Sequence, residues 1–486
     1  MINAPLNIAA YQLFQDGILA LADIEATGIR VDVPYLESQI TALSDQILNA
    51  ERTIWHTSEA REWKAMLKGK NTIMNIDSTT QLSSLLFKTL NYKPTKETAR
   101  GNAAVDDEVL RHIGTPFTKA ILAKRKLTKV RDTYLTGLLR EQVDGVLHPS
   151  FNLHLVQTYR SSSDSPNFQN IPVRDPEQGS VIRRAIIPHN PGDVIGEVDY
   201  SGAEIRIAAC YHKDPSMLKY IHDPTKDLHR DMACECYLLK PSQVTKAIRN
   251  ETKGDFVFAE FYGSYFELVA PNLWKASGDL VMADGTQRLV REVLIEKGIK
   301  TAGQFTDHIQ EVERHFWEDR FPVYNQWKKN WYAAYLKRGY FNTITGFRCQ
   351  GPMRRNECIN YPVQGSSFHC LLWSLIQIHK WLVSNEMESS IIGQIHDSII
   401  FNLAPKEAEI VLRKAKKVMC EDVRKHWPWL IVPLDVDAEV APPGKSWNDK
   451  VETNSSKGTL ERGGWSFDAF TRSHPGGVNY DHFSGS

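Results

Sequence analysis

The chain of 486 residues has few cysteines, no excess of either charge and no long hydrophobic run. Its seven cysteines are an odd number, and only Cys234 and Cys236 stand close together, so we predict neither a disulfide framework nor a zinc site. No stretch reaches the roughly 18 apolar residues that a membrane span needs, and the N-terminus lacks the basic start of a signal peptide. We therefore expect a soluble cytoplasmic protein with no membrane partner.

The balance of charge excludes one class of nucleic-acid binder. With 58 Lys and Arg against 58 Asp and Glu the net charge is zero, whereas a generally basic DNA-coating protein has a high pI. Cations are nevertheless concentrated locally. Lys119 to Arg131 contains six basic residues and no acid, and Arg320 to Asn356 contains eight and no acid. Local binding of a polyanion therefore stays possible.

Hydrophobic spacing predicts a helix-rich α/β protein. Apolar residues recur at three and four positions in Tyr11–Ala26 and Leu36–Trp55. Ser78, followed three positions later by Gln81, predicts another helix start. The basic run Lys119–Arg131 is also helical in pattern, with apolar residues facing inward.

The later part of the chain alternates strands and helices. Val194–Asp199 has a strand pattern, and Ser242 is expected to begin a long helix that reaches Tyr262. Phe305–Tyr335 predicts one further long helix, and Ile391–Leu403 predicts a hairpin with polar residues at its tip. The last 36 residues hold six Gly and six Ser, which predicts a flexible tail.

Two acidic residues stand at positions that suit catalysis. Asp199 ends a strand, and Asp397 lies at the predicted hairpin tip beside His396. Taken singly, Asp199 or Ser201 could simply cap the next helix, and Asp397 could be an ordinary turn residue. Two strand-end carboxylates on one sheet, however, would suit a two-Mg²⁺ site for phosphoryl transfer.

A third element carries cations and then aromatic residues along one helix. Arg249 and Lys253 are four residues apart and would present two cations to a polyanion. Phe258 and Tyr262, also four apart, offer a face on which a base could stack. The alternatives are a solvated charged face for the first pair and core packing for the second.

An acidic pair near the N-terminus points less clearly to chemistry. Asp23 and Glu25 have the DxE spacing that opens some exonuclease sites, but they lie in a helical pattern. No comparable acidic strand follows, so we do not expect an exonuclease site there.

Six segments in order resemble one known family: Thr158–Pro172 (TYRSSS…PNFQNIP), Asp199–Arg206 (DYSxxExR), Asp227–His229 (DLH), Arg249–Gly263, Asn360–Gly365 and Gln394–Asp397 (QIHD). Together they resemble the polymerase domain of family A DNA polymerases, which include bacterial DNA polymerase I and many phage replicases. The matches run from about Leu21 to Trp447. The resemblance implies a right-hand fold in which an antiparallel palm sheet is joined by fingers and thumb.

The resemblance also implies domain boundaries and an activity. The expected units are an N-terminal helical region (1–70), thumb (71–147), first palm part (148–220), fingers (221–345), second palm part (346–450) and tail (451–486). The implied activity is template-directed addition of dNMPs to a primer 3′-hydroxyl in DNA replication. Primer–template DNA and dNTPs are the implied partners.

The family roles transfer to particular residues of this sequence. Asp199, Asp397 and the Tyr200 carbonyl would hold two Mg²⁺, with Mn²⁺ as an alternative, and Lys253 would protonate the leaving group. Glu204 would be the steric gate against a ribose 2′-hydroxyl. The implied dNTP-binding residues are His229, Arg249, Lys253, Phe258, Tyr262 and Glu204. The implied primer–template contacts are Arg160, Asn360, Gln364, His396, Lys126, Lys129 and Arg131.

The sequence departs from the family pattern at three places. From Lys253 to Tyr262 there is one residue more than the family's steps of four, which predicts a π-bulge. Phe258 and Tyr262 would then keep the stacking roles, which otherwise pass to Val257 and Phe261. Ser398 follows Asp397 where cellular members have Glu, and position 356 is Asn where Arg is usual, so that Arg355 is a possible substitute.

The matches begin within about twenty residues of Met1, so we expect no exonuclease domain in this chain. This layout predicts a separate exonuclease or processivity factor as a partner. It also predicts a phage origin, and therefore the host-cell cytoplasm as the setting. Two alternatives remain: a single-subunit RNA polymerase, which shares the His-Asp-Ser of this chain, and a family member that has lost catalysis and acts as a DNA-binding scaffold.

Overall fold

The N-terminal part of the chain is helical, as its apolar spacing predicts. The computed structural model describes residues 4–68, 72–98, 101–172, 176–283, 285 and 287–452. Ser78 Oγ accepts a hydrogen bond from Gln81 N at 3.3 Å, which confirms the predicted helix start. The elements are β1 (Ala4–Pro5), α1 (Ile8–Thr27), β2 (Ile29–Arg30), α2 (Val33–Trp55), α3 (Ser58–Leu67), α4 (Thr79–Ser83), α5 (Asp107–Ile113), α6 (Pro116–Thr128), α7 (Thr136–Glu141) and β3 (Val146–Leu147).

The next part contains the strand that ends beside Asp199. Its elements are β4 (Ser150–Asn152), β5 (Ser162–Asp164), α8 (Pro176–Arg183), β6 (Val194–Tyr200) and α9 (Ala203–His212). In β6 the side chains alternate between the two sheet faces. Val198 and Tyr200 are buried in the largest hydrophobic core, whereas Asp199 faces away from it and is exposed.

A helical segment follows, and two predictions about it were wrong. Thr245, not Ser242, caps α12, because Thr245 Oγ1 accepts from Ile248 N while Ser242 lies in a short 3₁₀ turn. The expected single helix over 305–335 is two, since a π-helical turn at 316–320 is followed by Pro322, which restarts the helix at its first position. The helices are α10 (Pro215–His222), α11 (Leu228–Tyr237), α12 (Lys246–Thr252), α13 (Ala259–Phe261), α14 (Phe266–Ala276), α15 (Val290–Glu296), α16 (Ala302–His315) and α17 (Pro322–Arg338).

The C-terminal part supplies the remaining strands and the longest helix. The predicted hairpin is confirmed, with Asp397 in the turn between β9 and β10. The tail predicted from Val451 begins later than expected, because Val451–Glu452 pair with the preceding strand; the remainder, from residue 453, lies outside the described residues. The elements are β7 (Tyr340–Asn342), β8 (Phe347–Gln350), α18 (Arg355–Ser384), β9 (Ser390–Ile395), β10 (Ser398–Leu403), α19 (Ala408–Lys417), α20 (Val423–His426), β11 (Val436–Val440) and β12 (Val451–Glu452).

The main sheet has five antiparallel strands in the order β12-β11-β6-β10-β9. One face packs on the core that contains α9, α18 and α19, through side chains such as Val198 and Phe401. The opposite face carries Asp199. A three-stranded sheet (β1-β8-β7) and two strand pairs (β2-β3, β4-β5) complete the β structure of the described residues.

Candidate active site

The central strand and the hairpin turn bring the two expected carboxylates together. Asp199 is the Cα partner of Ser398 in the β6–β10 ladder, so the residue next to Asp397 lies directly opposite it. Tyr200 N donates to the Asp397 carbonyl oxygen at 3.1 Å. The adjacency that the sequence alone left open is therefore present.

Both carboxylates resist ionisation in the bare protein. Burial, and then the negative charges of Asp397 and Glu197, raise the pKa of Asp199 to about 7, although its side chain keeps solvent contact. Burial likewise raises the pKa of Asp397 to about 6, against the lowering influence of Arg160. Asp397 Oδ1 is buried and has no hydrogen-bond partner among the described residues. The pair is thus short of positive charge and of hydrogen-bond donors.

Asp397 opens into a cleft of about 480 Å³ between the main sheet and the helices of 215–338. Its lining combines apolar and aromatic side chains with polar and charged ones. Of the residues expected to act on substrate, the cleft is lined by Arg160, Tyr200, Glu204, Lys253, Phe258, Tyr262, Asn360, Gln364, His396 and Asp397.

The helix with the cation and aromatic pairs contains the predicted π-bulge. A π-helical turn spans Lys253–Phe258 between α12 and α13, and it absorbs the extra residue. Val257 is fully buried, whereas Phe258 and Tyr262 line the cleft. Lys253 Nζ lies 5.2 Å from the centre of the Phe258 ring. The aromatic face is therefore that of Phe258 and Tyr262, although Phe261 also reaches the cleft from behind.

Glu204 is held from two sides at the floor of the cleft. Its Oε1 accepts from Arg160 Nη2, and its Oε2 accepts from the Tyr262 hydroxyl. Burial, and then the negative charge of Glu204, raise the pKa of Tyr262, so the phenol stays protonated as a donor. The Glu204 side chain, at the start of α9, thus connects the corner after β6 to the end of α13.

A second cavity, of about 440 Å³, shares Lys253 and Phe258 with the cleft and is lined by the other expected cations. Arg249 Nε lies 2.6 Å from Asp227 Oδ2, and Asp227 also caps α11. Burial, and then the nearby charges of Arg249 and Lys253, lower the pKa of His229 to about 4, against the raising effect of Asp227. His229 is accordingly neutral at physiological pH, and the two longer cations supply the charge.

The polar residues of α18 contact the end of the π-bulged helix. Asn360 Nδ2 donates to the Tyr262 carbonyl at 3.2 Å, and Asn356 Nδ2 donates to the Gly263 carbonyl at 3.0 Å. Gln364 lies one turn further along α18 in the cleft wall. His396 is exposed, with a positive φ of 49° at the hairpin turn.

Many cations of the basic run on α6 and the turn after it are paired with acids, some of them distant in sequence. Lys126 Nζ lies 2.8 Å from Glu177 Oε2, and Arg131 Nε lies 2.6 Å from Asp132 Oδ1. Lys124 is buried with its Nζ 2.6 Å from an Asp77 oxygen. Lys129 is exposed, and the structure records no ion pair for it within the described residues. The six cations are thus not equally available to a polyanion.

Two residues near the site were missed by the sequence analysis. Asp437 on β11 is the Cα partner of Asp199, so its side chain shares the open sheet face. Its signal was the acidic alternation in Asp435-x-Asp437-x-Glu439, which is readable only once the strand pairing is known. Tyr324 lines the cleft from α17, but it stands in a segment with many aromatic residues and nothing in the sequence distinguishes it.

Comparison with known proteins identifies the family. The model of DNA polymerase family A matches residues 38–277 and 299–449. The chain belongs to this family. It is 29% identical over 444 residues to DNA polymerase I of Geobacillus stearothermophilus and 29% identical to thermostable DNA polymerase I of Thermus thermophilus, each match covering 88% of the chain.

A solved family A structure has the same fold. The polymerase domain of Pol1 from M. smegmatis, in complex with DNA primer–template and dNTP, matches with a TM-score of 0.70 and 25% identity over 90% of this chain and 70% of that one. The expected helix-rich α/β polymerase fold is confirmed. The chain spans less than half the length of the two bacterial relatives, 44% and 46%.

The described residues contain neither a membrane-spanning helix nor a preformed cluster of metal ligands. No helix in that part of the chain is both long and apolar enough to cross a bilayer. No three or more His, Cys, Asp or Glu side chains gather there as a ready metal site.

Proposed function

We propose that the chain is a DNA-directed DNA polymerase that adds dNMPs to a primer 3′-hydroxyl during replication. The observation that carries this proposal is the cleft in which Asp397, beside Asp199, faces Lys253 and the aromatic pair Phe258 and Tyr262. Family membership supports it. A paired carboxylate centre, a cationic cavity and a stacking face are what a nucleoside triphosphate needs.

The donor atoms of the centre fit Mg²⁺. Mg²⁺ prefers hard oxygen ligands, which are present here in Asp199, Asp397 and the Tyr200 carbonyl. The Asp397 Oδ1 accepts no hydrogen bond within the described residues and is therefore available as a ligand. Cation binding would also relieve the mutual repulsion of the two carboxylates. When bound, the two ions would activate the 3′-hydroxyl and offset charge on the phosphates. Mn²⁺ is an alternative occupant with the same ligand preference.

The remaining residues would bind and orient the triphosphate. The primer 3′-hydroxyl would lose its proton to solvent as its oxygen bonds to the α-phosphorus, while the bond between the α-phosphorus and the oxygen bridging to the β-phosphate breaks and pyrophosphate leaves. Arg249 and Lys253 would hold the phosphates, and neutral His229 would donate a hydrogen bond. Lys253 Nζ would give its proton to the leaving oxygen, since negative charge develops there. Phe258 and Tyr262 would support the base.

Selection of the sugar would fall to Glu204. Its carboxylate is fixed by Arg160 and Tyr262, so it cannot swing aside without breaking two charge-assisted hydrogen bonds. A rigid side chain there would exclude a ribose 2′-hydroxyl. This favours a DNA polymerase over a single-subunit RNA polymerase, despite the Ser398 that both readings allow.

Primer and template would run across the open sheet face. Arg160, Asn360, Gln364 and His396 would contact the bases next to the reacting end, while Lys129, with smaller contributions from Lys126 and Arg131, would hold duplex phosphates. We accordingly assign residues 71–147 as thumb, 148–220 and 346–450 as palm and 221–345 as fingers, with 1–70 as an N-terminal helical region and 451–486 as a tail.

We also propose that this polypeptide does not excise nucleotides. Asp23 lies on helix α1, with its Oδ2 2.9 Å from His379 Nε2, and Glu25 Oε1 accepts from Phe151 N at 2.6 Å. Both acids of the DxE pair thus have structural partners. Proofreading would then need residues outside this sequence. The π-bulged motif and Ser398 support a phage setting, and hence a host cytoplasm.

Primer extension tests these proposals directly. With Mg²⁺, wild-type protein should extend a labelled primer with dNTPs at least 100-fold faster than with rNTPs, and omission of one dNTP should stop it at the matching template base. Asp397→Asn should abolish extension, whereas Asp45→Asn, an exposed acid on α2, should leave it unchanged.

Each outcome bears on one proposal. Equal use of dNTPs and rNTPs would refute the DNA polymerase assignment, and absence of extension would favour the scaffold. Full activity of Asp397→Asn would refute the metal assignment. Shortening of a mismatched primer by purified protein without dNTPs would refute the absence of excision.

A further inference from the structure

Two buried ionisable side chains, Glu260 and Lys328, lie next to aromatic side chains that line the cleft. Glu260, two residues before Tyr262, is 0% exposed. Its Oε2 accepts from Trp317 Nε1 at 2.8 Å, while its Oε1 is buried without a partner among the described residues. A buried carboxylate with one free oxygen is costly for a fold to keep. The mechanism above gives it no role.

The matching cation comes from the next layer of helices. Lys328 on α17 is 7% exposed, and its Nζ lies 2.9 Å from the centre of the Trp317 indole and 5.7 Å from the Tyr324 ring. Trp317 therefore contacts the Lys328 amino group on its face and the Glu260 carboxyl group at its edge. When Lys328 is protonated, its charge over the ring draws electron density from the indole, which strengthens the N–H as a donor to Glu260.

The pair is connected to the substrate side of the wall. Phe261 follows Glu260, and its ring centre lies 6.1 Å from that of Trp317 and 5.6 Å from that of Tyr324. Phe261 and Tyr324 both line the cleft. A shift of Trp317 would therefore displace Phe261 and Tyr324 in the cleft lining, because packed interiors leave little free space.

We propose that Glu260 and Lys328 are positioning residues that act through Trp317 to hold the dNTP-binding wall, including Tyr262, in its binding geometry. This inference rests on the proposed polymerase function. An apolar pair of similar volume would stabilise the fold at least as well. Because Glu260 and Lys328 both contact Trp317, they hold α13, the turn at 316–320 and α17 in one arrangement.

The surrounding charges make the pair sensitive to pH. Burial, and then Arg355, lower the pKa of Lys328 to about 7, with opposing effects of Glu260 and Glu313 and a small lowering by Lys329. Burial, and then Glu313, raise the pKa of Glu260 to about 8, against the lowering effects of the Trp317 hydrogen bond and Lys328. The pKa of Lys328 thus lies below that of Glu260, so Lys328 carries an unpaired charge below about pH 7 and Glu260 carries one above about pH 8, whereas between these values neither group is charged alone.

Three variants separate positioning from stability. Lys328→Met, Glu260→Gln and the double variant would be compared with Lys297→Met, an exposed lysine at the end of α15. We expect either single change to raise the KM for dNTP about 10-fold with kcat within about threefold. Lys328→Arg, which keeps the cation over the ring, should stay within about threefold of wild type.

The double variant is decisive, because it removes both charges and leaves no unpaired one. Its melting temperature should recover toward wild type while its KM for dNTP stays raised and loses the wild-type minimum near pH 7–8. Taking the ratio to wild type at each pH cancels the contribution of the catalytic carboxylates.

Recovery of KM together with melting temperature would show a purely structural pair and overturn the proposal, as would loss of kcat with unchanged KM. If Lys328→Met does not fold, the nearly isosteric Glu260→Gln gives the same test by itself. A wild-type protein without extension activity would instead refute the proposed function, so the two failures are distinguishable.

Discussion

The junction between the π-bulged helix and α18 gives a sharp prediction for one glycine. Gly263 has φ +89°, a conformation that L-residues rarely adopt, and an added Cβ would lie 2.3 Å from Asn356 Oδ1. The left-handed backbone costs an alanine about 1–2 kcal/mol. Displacing Asn356 also breaks its 3.0 Å hydrogen bond to the Gly263 carbonyl, which costs about 1 kcal/mol more. Gly263→Ala should therefore lower the free energy of unfolding by about 2–3 kcal/mol.

The same helix offers a matched control. Gly254 lies within the π-helical turn, and a Cβ there would meet nothing within 4 Å. Gly254→Ala should be neutral or stabilise by up to about 1 kcal/mol, because alanine restricts the unfolded chain. In the double variant Gly263→Ala/Asn356→Ala the clash is gone and only the backbone strain, about 1–2 kcal/mol, should remain beyond the cost of Asn356→Ala itself.

Urea denaturation with dNTP titration would measure both consequences. We expect Gly263→Ala also to raise the KM for dNTP, since the strained residue adjoins Tyr262 in the cleft wall. Equal unfolding free energies for Gly263→Ala and Gly254→Ala would refute the reasoning, because the two changes differ only in φ and in the space that the Cβ meets.

Three further predictions concern the sugar, the pH dependence and the thumb. Tyr262→Phe removes one hydrogen bond from Glu204 and should lower dNTP-over-rNTP discrimination about 10-fold, the equivalent of about 1.4 kcal/mol. Substitution of the exposed Tyr265 by Phe should leave discrimination unchanged. Unchanged discrimination in Tyr262→Phe would contradict the proposed role of Glu204 as the steric gate. The pKa values of Asp199 and Asp397, the proposed metal ligands, are about 7 and about 6. We therefore expect kcat/KM to fall as pH drops through this range, and higher Mg²⁺ to move the fall to lower pH because cation and proton compete; a fall that does not depend on Mg²⁺ would contradict this. Lys129→Ala should reduce the slope of log DNA affinity against log salt by up to about 1, and ion-paired Lys126→Ala by less; equal reductions would contradict the pairing.

Local pattern predicted the elements of the fold more reliably than their ends. The helices of the first 55 residues and the hairpin around Asp397 follow from apolar spacing and β-rich residues, and the extra residue after Lys253 predicted the π turn. The start at Thr245 was missed because several Ser and Thr residues compete for one cap position. The break after residue 315 was missed because the aromatic pattern continues through it and Pro322 was not weighed.

The site residues were predictable as a set, but their contacts were not. Asp199 and Asp397 could be named from their motifs, yet their adjacency depends on pairing between strands almost 200 residues apart in sequence. Glu260 reads as a surface residue of an amphipathic helix, and its burial depends on Trp317 and Lys328 from two other helices. The ion pairs that occupy much of the basic run also join residues distant in sequence.

The strand order of the main sheet has a consequence for how the protein is made. β6 carries Asp199 in the middle of the sheet, and both of its neighbours, β10 and β11, lie about 200 residues later in the chain. During synthesis at about 5–20 residues per second, a finished β6 would wait on the order of ten seconds or longer with both edges unpaired. An unpaired hydrophobic strand can associate with other chains. The nascent chain is therefore exposed to aggregation until its C-terminal strands emerge. Truncation before Ser398 would leave both edges of β6 unpaired indefinitely, and truncation before Val436 would leave one.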